Sequence, residues 1–303
     1  MRAFAELTPD DFAATRTAGG RAWIAALPAL LADMARRWDL TVSGDEFRHG
    51  YNAVVFPVGR RGRALALKLA WPVDRTAQEA AGLLAWRSRG VVELVAADVP
   101  RGALLLERLD ASRPLTAVPL TEAAAIAGAL IRTLAIDPPG SAASLRPLPA
   151  EAADIAATLQ ARQRALGDPI PARWLGLATG LAAALSLDPE RRLVHADLHY
   201  ENIMASRRPG APWVAIDPDS AVGAPERSVA ELLWTRVDEL PDSGAITGLL
   251  DTLVEHGRLD RDKALAWAFV RTIDYWLWGL DNGLTVDPRR CRRIAAALAP
   301  EIN

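Results

Sequence analysis

Val194-His195-Ala196-Asp197-Leu198-His199-Tyr200-Glu201-Asn202 decides the reading of this chain, together with Ile216-Asp217, whose carboxylate comes fifteen positions after Asn202. A carboxylate, a carboxamide five positions later and a second carboxylate closing an apolar run are the groups that phosphoryl transfer needs. One acid accepts the proton of an acceptor hydroxyl, while the amide and the other acid hold Mg²⁺ against phosphates. Leu193-Val194-His195 and Trp213-Val214-Ala215-Ile216 are too short and too punctuated for helix, and they predict strands on either side of the loop. A lone Asp-x-x-x-x-Asn match carries little weight. The histidine before the aspartate and the strand-ended Asp217 supply the rest.

Upstream, residues 1–38 carry apolar positions at helical spacing, among them Ala22, Ile24, Leu27, Leu30 and Met34. Short apolar runs follow at Val42, Ala53–Val58, Arg63–Leu69, Val91–Val95 and Ala103–Leu109. They are broken by Gly44, Gly50 and the turn Gly59-Arg60-Arg61-Gly62, and a helix from Asp74 to about Arg89 is inserted among them. This predicts a five-stranded antiparallel sheet. Beyond Asp110–Pro114 the pattern is helical at 121–135, 151–166, 172–187, 225–239, 244–257, 261–280 and 287–298, with a loop over Pro138–Pro149. The class is α+β, divided into 1–109 and 110–303.

Lysine is almost absent. Of 35 basic residues only Lys68 and Lys263 are not arginine, so each retained lysine is a candidate for a position where a compact ammonium serves and a wide guanidinium fork does not. Lys263, in Arg261-Asp262-Lys263, reads as solvated. Lys68 lies in a run where Leu65, Leu67 and Leu69 alternate with Ala64, Ala66 and Lys68, which gives one bulky core-directed face and one small face ending in a charge.

On these residues the chain resembles the protein-kinase-like superfamily, whose catalytic loop reads His-Arg-Asp-Leu-x-x-x-Asn. The resemblance implies a two-lobed fold, Asp197 as catalytic base, Asn202 and Asp217 as magnesium ligands, and His195 as a brace beneath the loop. It also implies that Lys68 reaches the ATP phosphates and pairs with Glu79 of the following helix, that Ala66 leaves room for adenine, and that Glu107, Arg108 and Leu109 form the hinge. The turn Arg48–Asn52, with its single Gly50, takes the phosphate-covering position. His199 is open to two readings, a phosphate contact or a structural histidine. A protein kinase is disfavoured: Ala196 replaces the arginine that pairs an activation-loop phosphate, Pro218 follows Asp217, and Glu226 of Ala224-Pro225-Glu226 lies only nine residues after Asp217. Ile216-Asp217-Pro218 followed by Val222-Gly223-x-Pro225 is similar to the aminoglycoside phosphotransferases, and within them to the streptomycin and hydroxyurea phosphotransferases. Such enzymes use ATP and Mg²⁺ to phosphorylate a hydroxyl of a small, often cationic, sugar-like acceptor. The family's His-Gly-Asp and Gly-Asp-Pro-x-x-Asp patterns are altered here to Ala196, Ala224 and Ser228. Because that last aspartate braces the catalytic loop, its loss implies a looser site, another brace such as Glu226 or Glu231, or a weak enzyme, and with the sparse glycine loop it leaves open a non-catalytic nucleotide-binding relative.

Composition narrows the partners. A net charge of −2 gives no basic field for a nucleic acid. No apolar run approaches a membrane span, Glu6, Asp10 and Asp11 interrupt any leader-like start, and the lone Cys291 has no disulfide partner. A cytoplasmic monomer or small homo-oligomer is expected. From Asp217 to Asp281 thirteen acidic residues face six basic ones. Such a field either draws in a cationic acceptor or decorates solvated helix faces. Trp267, Arg271, Asp274, Trp278 and Asp281 share one helix face, the tryptophans suiting core or acceptor equally. Asp219, Asp274 and Asp281 are the acceptor-binding candidates.

Overall fold

The computed structural model describes residues 12–43, 47–140 and 145–302. The residues before Phe12, Gly44 and part of the expected 138–149 loop lie outside them. Two compact units meet in sequence at Leu109 and Asp110.

The first unit contains α1 (Ala18–Trp38), β1 (Thr41–Val42), β2 (Arg48–His49), β3 (Ala53–Arg60), β4 (Arg63–Ala70), α2 (Asp74–Trp86), β5 (Leu94–Asp98) and β6 (Ala103–Glu107). The antiparallel path β1-β3-β4-β6-β5 has five strands as expected, although β5 runs over Leu94–Asp98 and not Val91–Val95, and the two-residue β2 adds to β3. β3 and β4 are joined through Arg61-Gly62, both left-handed (φ 50° and 77°), the twist a two-residue hairpin requires. Cross-strand pairing puts Val54, Phe56 and Val58 beside Leu69, Leu67 and Leu65 on one face, where Trp23, Leu27 and Met34 of α1 cover them. Thr17 starts α1 by accepting the Gly20 N–H at 3.0 Å. α2 stops at Trp86, short of Arg89, because Arg87 and Ser88 turn left-handed.

The second unit contains β7 (Asp110–Pro114), α3 (Leu120–Leu134), β8 (Arg146–Pro147), α4 (Leu148–Ala165), α5 (Ala172–Leu185), β9 (Arg192–His195), β10 (Ile203–Ala205), β11 (Trp213–Ala215), β12 (Ser220–Gly223), α6 (Val229–Trp234), α7 (Ser243–Gly257), α8 (Arg261–Asp281) and α9 (Val286–Leu298). Within the expected loop, Arg146–Pro147 instead pairs in parallel with Ala221–Val222. Two three-stranded sheets, β11-β10-β7 and β8-β12-β9, are set among the helices. The helix expected over 225–239 is broken into a 3₁₀ turn at Pro225–Ser228, α6, and a second 3₁₀ turn at Val237–Glu239. Thr235 Oγ1 donates to the Glu231 carbonyl at 2.8 Å, and Arg236 then leaves helical geometry. Among the described residues no helix is long and apolar enough to cross a membrane.

α3 and α7 approach at Gly128, where an added Cβ would stand 2.8 Å from the Leu253 carbonyl oxygen. Alanine favours helix over glycine by about 1 kcal/mol, but overpacking against backbone costs about 1–3 kcal/mol. Gly128→Ala is therefore expected to lower stability in urea unfolding, and a rise in the midpoint would show that the two helices can separate freely.

Candidate active site

In the first unit the alternation along β4 sorts its side chains as the sequence implies. Leu65, Leu67 and Leu69 enter the core under α1, while Ala66 and Lys68 lie on the opposite face. There Ala66 pairs across the sheet with Pro57 and Leu106, and Lys68 with Val55 and Leu104. The Lys68 ammonium sits 2.8 and 2.7 Å from the two Glu79 oxygens. Both residues are buried, at 5% and 7% exposure. Burial of this charge pair costs desolvation that only close, two-oxygen contact offsets. Gly50 follows β2 and donates its N–H to Ala53 at 3.0 Å. Glu107 ends β6 with its carboxylate accepting the Glu93 N–H at 3.0 Å, and Arg108 and Leu109 follow outside the strand.

In the second unit β9 delivers His195, paired opposite Ser220 of β12, and the chain then turns away through Asp197. His195 is buried and hydrogen-bonded at both ring nitrogens. The Asp197 N–H donates to Nδ1 at 3.2 Å, so Nε2 carries the proton and donates to the Ile216 carbonyl at 3.0 Å. Asn202 Nδ2 donates to the Asp197 carbonyl at 2.9 Å, and the Ile216 N–H donates to the Asn202 carbonyl at 2.9 Å. Asp197, Asn202 and the approach to Asp217 thus form one hydrogen-bonded unit. Asp217 is left-handed at φ 52°, a conformation that costs a non-glycine residue about 1 kcal/mol or more. It is held from both sides, by Ile216 and by the Asp219 carbonyl, which accepts the Ala196 N–H at 2.8 Å.

Ser228 answers the question raised by the missing aspartate. Its buried hydroxyl donates to the His195 carbonyl at 3.1 Å, so the brace is serine itself. Glu226 instead accepts the Asp260 N–H at 3.0 Å. Glu231 pairs with Arg227 at 2.8 and 2.9 Å, and Arg227 reaches Glu151 at 3.0 Å.

The electrostatics follow from this packing. Burial lowers His195 to about 4, against the opposing pull of its bond to Ile216, which keeps the imidazole neutral. Asp197 is open along its own surface, yet the protein around it withdraws enough water to raise its carboxyl to about 6. His199 opposes that shift, and the Glu231 and Asp219 carboxylates reinforce it. Burial pushes Glu151 up, but Arg227, Arg271 and Arg146 outweigh it and hold the carboxyl at about 2.

Two of the acceptor-binding candidates are already answered by cations. Asp274 is clasped by Arg162 and Arg271, and Asp219 pairs with Arg146 at 2.8 Å. Asp281 is exposed at the end of α8. Trp267 is core, 1% exposed, whereas Trp278 is 45% exposed. His199 is half-buried, and its buried Nδ1 has no partner among the described residues. Lys263 is not simply solvated: it binds Asp188 at 3.0 Å and Glu190 at 2.8 Å, which outweigh its burial and raise its pKa. The cluster of Arg146, Glu151, Arg227 and Glu231 was missed. Only the local pairs Arg146–Glu151 and Arg227–Glu231 lie close enough in sequence to signal it, since the Arg227–Glu151 contact that joins them spans 76 positions.

This sheet unit and helical unit have the fold of the kinase-like phosphotransferases. A thermostable aminoglycoside phosphotransferase variant solved with AMP-PNP and hygromycin B superposes with a TM-score of 0.64 at 14% identity, covering 89% of this chain and 98% of that one. The family model of the aminoglycoside/hydroxyurea antibiotic resistance kinases matches residues 37–283, and the chain belongs to that family. It is 37% identical over 289 residues to the streptomycin 6-kinase of Streptomyces griseus, covering 92% of each chain. It is 36% identical over 286 residues to the hydroxyurea phosphotransferase of Kitasatospora aureofaciens, covering 93% of this chain and 81% of that one.

The His195 shift has a definite sign. Below pH 6.5 the unfolded chain takes up a proton that the folded imidazole refuses, so stability falls as pH drops toward 4. Between pH 7.5 and 4.5 the parent is expected to lose about 2.5 kcal/mol more than His195→Asn in urea unfolding. Parallel losses in the two proteins would mean that His195 is not held neutral.

Proposed function

We propose that this kinase transfers the γ-phosphate of ATP to a hydroxyl of a cationic, sugar-like small molecule of the aminoglycoside type, acting as a monomer or small homo-oligomer. Its membership in the family supports the reaction class, and the streptomycin 6-kinase relative supports the acceptor class. The observation that carries the reading is the hydrogen-bonded unit of Asp197, Asn202 and Ile216 about the neutral His195, which holds a carboxylate, an amide and a second carboxylate in fixed register.

In this reading Asp197 accepts the proton of the acceptor hydroxyl as that oxygen bonds to the γ-phosphorus. The bond from the γ-phosphorus to the bridging oxygen breaks, and ADP leaves. A carboxyl raised to about 6 is ionised at neutral pH and close enough to it to take a proton. Lys68, fixed by Glu79, serves the nucleotide phosphates, and Ala66 leaves space for the base. Gly50 lies in the phosphate-covering turn, and Glu107, Arg108 and Leu109 supply the backbone that meets the adenine edge.

The donor set suits Mg²⁺. Asp217 offers a carboxylate, and Asn202, having committed Nδ2 to the loop, offers its amide oxygen. Mg²⁺ characteristically takes one or two protein oxygens and completes its shell with phosphates and water. Bound there, the ion would neutralise charge developing on the phosphates.

A phosphate-transfer assay with ATP against aminoglycosides, amino sugars and hydroxyurea tests the reading; absence of transfer to every one would defeat it. Asp197→Asn is expected to lose most turnover while keeping its melting temperature and ATP affinity. A variant that turns over at the parent rate would remove Asp197 from the chemistry.

Lys68→Arg keeps the charge but cannot reproduce the two close contacts to Glu79. A fall in kcat/KM of about a hundredfold, or about 2.7 kcal/mol, is expected without unfolding. Glu79→Gln should be partly equivalent, and the double variant less than additive. Lys263→Arg, which retains charge beside Asp188 and Glu190, is the control. Equal activity in Lys68→Arg and Lys263→Arg would exclude the ammonium from a special role.

A further inference from the structure

Three aromatic rings are stacked in series on the helical unit. Trp234, closing α6, lies 4.6 Å from Tyr275 of α8 at an interplanar angle of 12°. Tyr275 in turn lies 5.3 Å from Trp278 at 13°. The series runs from a buried ring outward, Trp234 being 8% and Trp278 45% exposed. The middle ring is fixed by its hydroxyl, which donates to Asp287 Oδ2 at 3.0 Å. One face of Trp278 is therefore covered by a ring that cannot easily move, and the exposed part of the indole is presented to solvent in a set orientation.

The inner end of the series adjoins the loop that carries Asp197. Arg236, two residues beyond Trp234, lies 5.2 Å over the ring of Tyr200, three residues after Asp197. The charges along these elements are mostly spent. Glu239 is paired with Arg236, Asp238 and Asp287 with Arg290, and Asp274 with Arg162 and Arg271. Asp281, one turn beyond Trp278, is exposed and makes no ion pair among the described residues. An electron-rich ring face with an uncompensated carboxylate one turn away attracts a cation that is itself flat or carried on a ring. Indole is the strongest of the aromatic partners for such a group, at about 0.5–2 kcal/mol.

We infer that Trp278 and Asp281 form the acceptor subsite for a guanidino- or amino-substituted ring, an assignment that rests on the function proposed above. Asp274 and Asp219, whose charges are neutralised within the protein, do not share in it. A single indole is far too small for a stable protein interface, which needs about 800 Å² from each partner. Its preset orientation and the adjacent charge favour a small cation.

Steady-state kinetics of the parent, Trp278→Ala, Trp278→Phe and Asp281→Asn with streptomycin and with hydroxyurea read the subsite, with Leu187→Ala, at an exposed apolar position elsewhere, as control. Trp278→Ala is expected to raise the KM for streptomycin about tenfold and to lower the preference for streptomycin over hydroxyurea by the same factor. Trp278→Phe should recover part of the loss. An unchanged streptomycin KM in Trp278→Ala overturns the subsite while leaving the phosphotransfer reading intact. Calorimetric titration with streptomycin separates the two ideas if the parent phosphorylates neither compound. Binding by the parent that weakens in Trp278→Ala then supports the subsite alone, and no binding by the parent overturns it. A larger elution volume for Trp278→Ala than for the parent in size exclusion also overturns it, by assigning the indole to self-association.

Discussion

The arrangement of the helical unit turns on one neutral imidazole. His195 accepts from the loop it precedes, donates to the strand end that leads into Asp217, and has its own carbonyl capped by Ser228. The catalytic-loop turn and two segments remote in sequence, at Ile216 and Ser228, are thereby fixed to a single residue. Burial is what makes the imidazole useful, since a charged ring would be a donor at both nitrogens and could not accept the Asp197 N–H. The left-handed Asp217 is affordable only because its neighbours on both sides are anchored to this residue and to Ala196.

Much of this was legible in the chain. The alternation along Arg63–Leu69 separates core from site because a strand offers two faces and nothing else, and the lysine among arginines singles out the residue on the site face. The Asp-x-x-x-x-Asn spacing is local enough for one turn to bring Asn202 back onto the Asp197 carbonyl. What escaped the reading depends on long-range pairing. Arg146 meets Asp219 across 73 positions, and Glu151 meets Arg227 across 76. Charge counting placed Asp274 among free acids, although two arginines enclose it. The broken helix at 225–239 was hidden in part for the same reason: apolar periodicity continues through it, and the long-range bonds of Arg227 to Glu151 and of Ser228 to His195 mark where the backbone departs.

Ser228 illustrates how a lost charge can be tolerated. An aspartate at this position would bring a third carboxylate into a region that already holds Glu151 and Glu231 around Arg227. A hydroxyl supplies the single donor that the His195 carbonyl requires and adds no charge to be desolvated. The same economy appears around Asp197, whose carboxyl already stands raised by desolvation, with smaller contributions from Glu231 and Asp219; a further anion nearby would push it higher and reduce the ionised fraction at neutral pH.

The two lysines show what the compositional bias selects for. Each is held by two carboxylate oxygens, Lys68 by both oxygens of Glu79 and Lys263 by one each from Asp188 and Glu190. Pairing alone therefore does not distinguish the two ammonium groups. Burial does: the Lys68 and Glu79 side chains are 6% and 9% exposed, against 26% for Lys263. At Lys263 water can complete the coordination of a wider guanidinium, so arginine would be tolerated there. At Lys68 the charge lies on a sheet face between its cross-strand neighbours Val55 and Leu104 and is met by both oxygens of Glu79, a setting that suits a compact ammonium better than a wide guanidinium fork.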